Sequence, residues 1–194
     1  MRTEDTHYAP AYTGPDLEPA ELHSEILPGL FQGGTPDEDW MGPASWAVRP
    51  RDAELESRFD AVVTLFAWAQ PCDWGVEELR YGFADADLVG ADVERVIEAA
   101  RWAHRRWKSG GTVLIRCQAG LNRSGLVTAL VLMLDGYSGP EAIAAVRAGR
   151  AAVALFNDRF VDWLVGEAGQ RLGLDRESVR LAEPMSWRPA SPAA

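Results

Sequence analysis

The stretch "TVLIRCQAGLNRSGLVTALVLML", Thr112 to Leu134, decides the fold. Its opening, "TVLIRC", is a short apolar run set off by Ser109-Gly110-Gly111, which is how a buried strand reads. From Arg123 the chain is almost wholly apolar after two residues, as a helix packed against a sheet is, and Gly136 ends it. Between strand and helix lies a loop with Cys117 at its entrance, Gly120 at its middle and Arg123 six residues after the cysteine. A strand feeding a helix through such a loop places it at the carboxyl edge of an α/β sheet, where ligands bind.

Working outward, "EILPGLFQGG" reads as a short strand broken by Pro28-Gly29 and closed by Gly33-Gly34. "ELESRF" reads as a brief helix before the apolar strand "AVVTLFAW", and Leu79, Tyr81 and Phe83 alternate as a strand does before Asp85. Val93, Val96, Ile97, Ala100, Ala103 and Trp107 keep helical spacing, with Asp92 as the expected cap. Ser138 and Glu141 have capping-box spacing around Pro140, and Asn157 can cap a last helix striped by Phe160, Val161, Leu164 and Val165. Strands alternating with helices predict one α/β domain over residues 22–174, its central, mostly parallel sheet carrying helices on both faces. The polar, proline-bearing segments 1–21 and 175–194 are expected to be flexible tails.

The chain has 194 residues and 47% hydrophobic content, enough for one such core. A net charge of −10 argues against nucleic-acid or anionic-membrane partners, which need a contiguous basic field. No apolar run is long enough to span a membrane and the start lacks a secretory apolar region, so a cytoplasmic location is expected. Two cysteines, Cys72 and Cys117, are too few for a disulfide framework and read as reduced thiols. His7, His23 and His104 are scattered and form no ligand pair, so neither a metal nor another cofactor is expected.

The loop's residue types point to one chemistry. Gln118, Ala119, Gly120, Leu121 and Asn122 can curl so that their N–H groups face inward, with Gly120 supplying the unusual backbone angles. Together with the unpaired N–H groups of the first helical turn they make a nest for a tetrahedral oxyanion, and the same field favours the thiolate of Cys117. Arg123 can offer two N–H groups to two oxygens and follow charge as it spreads over a phosphoryl group in flight. Ser124 can donate its hydroxyl to the sulfur, improving it as a leaving group.

At these residues the chain resembles a known family. "RCQAGLNRSG" is similar to the signature loop of the cysteine-dependent protein tyrosine phosphatases, and of their compact dual-specificity branch in particular. "ILPGLFQGG", "FDAVVTLF" and "LFNDRFVDWL" resemble that branch's opening strand and turn, its next core strand and its closing helix, so the resemblance spans roughly Ile26 to Leu164. It implies metal-independent hydrolysis of a phosphomonoester through a phosphocysteine, on a phosphorylated protein or peptide.

Such chemistry needs an acid to protonate the departing oxygen. Asp85, at the spacing before Cys117 that the branch's acid loop has, is the first candidate, and Asp87 is its rival. The family usually has histidine before the cysteine; here stands Arg116, which is expected to bond loop carbonyls or a nearby carboxylate. That replacement keeps open a second reading, a phosphate-binding module without turnover. Sulfur transfer and arsenate reduction rank lower, because rhodanese loops are typically shorter and arsenate reductases need further thiols. The variable loop positions carry no basic residue, which favours a singly phosphorylated substrate, phosphotyrosine first. Cys72 is a candidate resolving thiol, and Trp68 and Trp74 are candidates for the substrate lip.

Overall fold

The computed structural model describes residues 21–36 and 53–174. The expected tails lie outside the described residues, apart from Glu21. Five strands, β1 (His23–Leu27), β2 (Leu30–Gly33), β3 (Ala61–Thr64), β4 (Glu77–Arg80) and β5 (Val113–Arg116), form one sheet in the order β1-β2-β5-β3-β4. The β1–β2 pair is antiparallel and the other three pairings are parallel. The helices are α1 (Ala53–Glu56), α2 (Ala91–Lys108), α3 (Arg123–Leu134), α4 (Gly139–Gly149), α5 (Asp158–Gly166) and α6 (Ala168–Leu172).

Alternation along the central strands divides the core. Leu30, Ala61, Val63, Val113 and Ile115 face a large cluster shared with α2 to α6, while Phe59, Val62 and Leu114 face a smaller one covered by Phe31, Cys72, Trp74 and Val76. Both faces of β5 are therefore buried, which is why Val113, Leu114 and Ile115 are apolar without alternation. Helix α3 is buried from Ser124 to Met133. Its Leu126, Leu130 and Leu132 are fully buried, each contributing about 2 kcal/mol, so packing outweighs any cap, worth about 1 kcal/mol, in placing this helix. Its N-cap residue, Asn122, makes no side-chain capping bond, which leaves that side chain for other work.

Four local expectations change. Pro28-Gly29 reverses the chain into a hairpin rather than breaking one strand: Gly29 has φ of +79° and its N–H donates to the Glu25 carboxylate at 2.9 Å. Both β3 and β4 are shorter than their sequence patterns, because the chain leaves the sheet at Leu65 and at Tyr81 to reach the site. Asp92 does not cap α2; Gly90 holds that position and Asp92 accepts the Tyr81 hydroxyl instead. Helix α6 was not expected; it follows α5 directly after Glu167, burying Ala168 and Leu172. The capping box of α4 and the Asn157 cap of α5 form as the sequence predicts.

Candidate active site

The loop leaves β5 at the sheet's carboxyl edge. The Leu65 N–H donates to the Arg116 carbonyl at 2.8 Å and the Cys117 N–H donates to the Gly33 carbonyl at 3.2 Å, which ties its start to two neighbouring strands. Gly120, with φ of +72°, passes so close to β2 that a Cβ there would lie 2.4 Å from the Gly33 carbonyl carbon. Only glycine fits.

Four of the loop's carbonyls accept from groups beyond the loop. That of Gln118 accepts from the Thr35 N–H at 3.0 Å; that of Gly120 accepts from Gln32 Nε2 and Arg150 Nε, both at 3.0 Å. The Leu121 carbonyl accepts from the Leu155 N–H at 3.3 Å, and the Asn122 carbonyl from the Leu126 N–H at 2.8 Å. Leu155 is held at φ of 59°, a costly angle for leucine, while Arg147 grips the Ala154 and Leu155 carbonyls, each at 3.1 Å. In contrast, the N–H groups from Gln118 to Ser124 have no acceptor among the described residues. A loop whose carbonyls are satisfied from outside and whose amides remain available can receive an anion.

Cys117 is buried at 2% exposure, and its Sγ lies 3.3 Å from the Oγ of the fully buried Ser124. Arg123 is anchored by Nη1 to the carbonyls of Leu65 (3.4 Å) and Phe83 (3.2 Å) and by Nη2 to Gln118 Oε1 (3.4 Å). Its Nε is buried and has no partner among the described residues. The guanidinium sits 5.6 Å from the Phe66 ring centroid.

The two acid candidates part company. Asp85 reaches the loop: its Oδ2 accepts from Asn122 Nδ2 at 3.0 Å and its Oδ1 from Asn157 Nδ2 at 2.8 Å. Asp87 instead forms an exposed ion pair with Arg159 at 3.3 Å.

Arg116 turns away from the thiol. Following the alternation of β5 it lies on the side of Leu114, 2% exposed, with its guanidinium 5.7 Å from the Trp74 ring. Its Nε donates to Thr64 Oγ1 at 2.9 Å, and its Nη2 to the Gln70 carbonyl at 2.9 Å and to Glu78 Oε1 at 3.4 Å. The expected carboxylate is present, but the carbonyl belongs to the β3–β4 connection rather than to the cysteine loop. Trp74 and the half-buried Cys72 pack on this same face, away from the site. Burial, with Glu78 beside it, pushes the Cys72 thiol up to about 12. Trp68, in contrast, is 80% exposed on the connection that supplies Leu65 and Phe66 to Arg123.

Gln32, Arg150 and Asn157 support the site, yet sequence reasoning gave none of them a part in it. Gln32 had a signal, a polar residue inside an apolar strand, whereas Arg150 and Asn157 are brought in by the path of the chain after α4.

No protein-family model matches the chain, and no curated protein matches it. Solved structures do. Tk-PTP in its active form is 28% identical over 77% of this chain and 97% of its own, with a TM-score of 0.60. Human DUSP28 is 21% identical over 80% of this chain and 99% of its own, with a TM-score of 0.62. The human tyrosine phosphatase-like serine/threonine/tyrosine-interacting protein is 22% identical over 77% and 97%, with a TM-score of 0.60. The likeness runs through nearly the full length of each neighbour, so the chain has the α/β fold of these tyrosine and dual-specificity phosphatases, and the structural comparison supports the resemblance to that superfamily read from the cysteine loop.

Proposed function

We propose that the protein hydrolyses phosphomonoesters, phosphotyrosine in proteins or peptides first, through a phosphocysteine on Cys117. The observation that carries this reading is the polarity of the loop, with the carbonyls of Gln118, Gly120, Leu121 and Asn122 bonded beyond it and seven consecutive N–H groups, Gln118 to Ser124, left without an acceptor among the described residues beside Cys117. Those donors, with the unpartnered Nε of Arg123, match the equatorial oxygens of a phosphoryl group in transfer.

In the first step the Cys117 thiolate attacks phosphorus, the S–P bond forms, and the P–O bond to the leaving group breaks while Asp85 gives its proton to the departing oxygen. In the second, Asp85 takes a proton from water, whose oxygen attacks phosphorus and releases inorganic phosphate and the Cys117 thiolate. Ser124, in contact with the sulfur, stabilises that leaving thiolate. Gln118, Ala119, Leu121 and Asn122 add no positive charge, which suits a substrate bearing one phosphate.

One observation favours a second reading, retention of phosphate without turnover: Arg116 gives its guanidinium to Thr64, Gln70 and Glu78, leaving the thiol without the usual basic neighbour. A single experiment separates the two. Wild-type protein is expected to release phosphate from p-nitrophenyl phosphate in the presence of a chelator, to be blocked by vanadate, and to lose turnover on Cys117→Ser. A phosphotyrosine peptide that binds with no release of phosphate would instead establish the second reading.

A further inference from the structure

We propose that Gln32 is a positioning residue that holds the peptide between Gly120 and Leu121, so that the Leu121 N–H faces the phosphoryl group; this deepens the hydrolase reading above and rests on its anion-binding loop. Alternation along β2 puts Phe31 on the smaller core cluster and turns Leu30 and Gln32 toward α3. Gln32 is fully buried there, an amide where an apolar side chain would pack. Its Nε2 donates to the Gly120 carbonyl at 3.0 Å, and Arg150 Nε, at the end of α4, donates to the same oxygen at 3.0 Å. Both lone pairs of that oxygen are thus engaged, from two elements far apart in the chain.

A trans peptide is planar and its N–H points opposite to its C=O, so a Gly120 carbonyl fixed outward leaves the Leu121 N–H directed inward. This peptide needs holding, because Gly120, at φ of +72°, has no Cβ to restrict its turning. The same bond polarises the peptide and strengthens its N–H as a donor. The other end of the amide separates this role from packing. Gln32 Oε1 is buried with no partner among the described residues, which costs stability that a methionine or leucine would not lose. Room for the amide comes from Gly125 in the first turn of α3, where a Cβ would lie 3.4 Å from Gln32 Nε2.

Gln32→Met keeps the length of the side chain and removes the donor, so function and stability are expected to move apart. Vanadate, which adopts the geometry of a phosphoryl group in transfer, should bind about tenfold more weakly by calorimetry, and kcat on p-nitrophenyl phosphate should fall about tenfold. The thermal midpoint should stay level or rise. An unchanged vanadate affinity or kcat, or a midpoint lowered by more than about 4 °C, which marks a packing residue, would overturn the proposal. Calorimetry needs no turnover, so the two readings fail separately. Wild type that binds vanadate yet leaves p-nitrophenyl phosphate intact ends the hydrolase reading, and vanadate affinity alone then decides for Gln32. Wild-type turnover beside a Gln32→Met protein that binds vanadate as tightly removes the role of Gln32 and leaves the hydrolase. Wild type that binds no vanadate removes both.

Discussion

Arg116 and Glu78 form a buried ion pair, 3.4 Å apart, on the face of the sheet opposite Cys117, their side chains 3% and 11% exposed. Thr64 joins them: its Oγ1 accepts from Arg116 and donates to Glu78 at 2.5 Å. Arg80 adds a second cation, bonding Glu78 at 2.8 Å and the Ala69 carbonyl at 2.5 Å. Two arginines therefore hold the connection after β3 by its Ala69 and Gln70 carbonyls, and that connection presents Leu65 and Phe66 to Arg123. Because Glu78 would keep Arg80 as its one cation, beside the donors Thr64 and the Cys72 N–H, Arg116→Met is expected to cost about 2 to 3 kcal/mol, at or below the usual range for breaking a buried pair. The urea midpoint reads it. Arg116→His is expected to recover little, since an imidazole cannot serve three acceptors spread over β3, β4 and the connection between them. A full recovery would show that the pair is dispensable.

The pH dependence of stability follows from Glu78. Burial pushes its carboxyl up, but the hydrogen bonds from Thr64 and the Cys72 N–H, with Arg80 and Arg116 alongside, outweigh burial and hold it below the usual 4.5. As pH falls, the unfolded chain binds this proton first, so the stabilisation present above 4.5 is lost on descending through the depressed value. Glu78→Gln is expected to be less stable than wild type at pH 7, with the difference narrowing in acid. Parallel unfolding curves at pH 7 and below pH 4 measure it, and a difference constant with pH would refute it.

What was legible in the sequence was local. The strand, loop and helix from Val113 to Leu134 could be read because each state is announced by residues adjacent in the chain. Asp85 could be preferred over Asp87 because it ends the alternating strand and its distance before Cys117 matches the acid loop of the branch the chain resembles, and only Asp85 bonds a residue of the loop. Arg116 was harder: strand alternation already assigns it to the side of Leu114, but its partners Thr64 and Glu78 come from two other strands. The pairing of Asn157 with Asp85 spans 72 residues and depends on where α5 docks, which no local pattern encodes.

Cys72 is expected to be inert rather than a resolving thiol. Burial is the first cause of its rise from the ordinary 9.0 to about 12, and Glu78 adds to it against the opposing pull of Arg116 and Arg80. In native Cys117→Ser protein, iodoacetamide at pH 8 should leave Cys72 unlabelled, with reaction appearing on unfolding or as pH approaches 12. Above pH 9 the unfolded thiol ionises first, so the same burial lowers folding stability as pH rises. Peroxide treatment of wild type should yield no bond between Cys72 and Cys117. Mass spectrometry of the alkylated protein decides, and rapid native labelling of Cys72 at pH 8 would overturn the expectation.

Gly120 tests the loop itself, because two separate costs meet there and a control separates them. An alanine would have to adopt φ of +72°, which costs an L-residue roughly 1 to 2 kcal/mol, and its methyl would fall 2.4 Å from the Gly33 carbonyl carbon and 2.5 Å from the Gly34 nitrogen. Backbone cannot step aside as a side chain does, so the loop must lift from β2, breaking the bonds that Gln32 and Arg150 make to the Gly120 carbonyl. Gly75 has nearly the same angle, φ of +74°, with nothing within 4 Å of where its Cβ would stand. Gly75→Ala is therefore expected to show the angular cost alone and to keep full turnover. Gly120→Ala is expected to lose distinctly more stability and at least about a hundredfold in kcat/KM, since displacing the donors by even 1 Å misaligns them with the phosphoryl oxygens. Thermal melts and steady-state rates on the two variants measure both, and equal effects at the two glycines would mean that the close approach to β2 is not what shapes the loop.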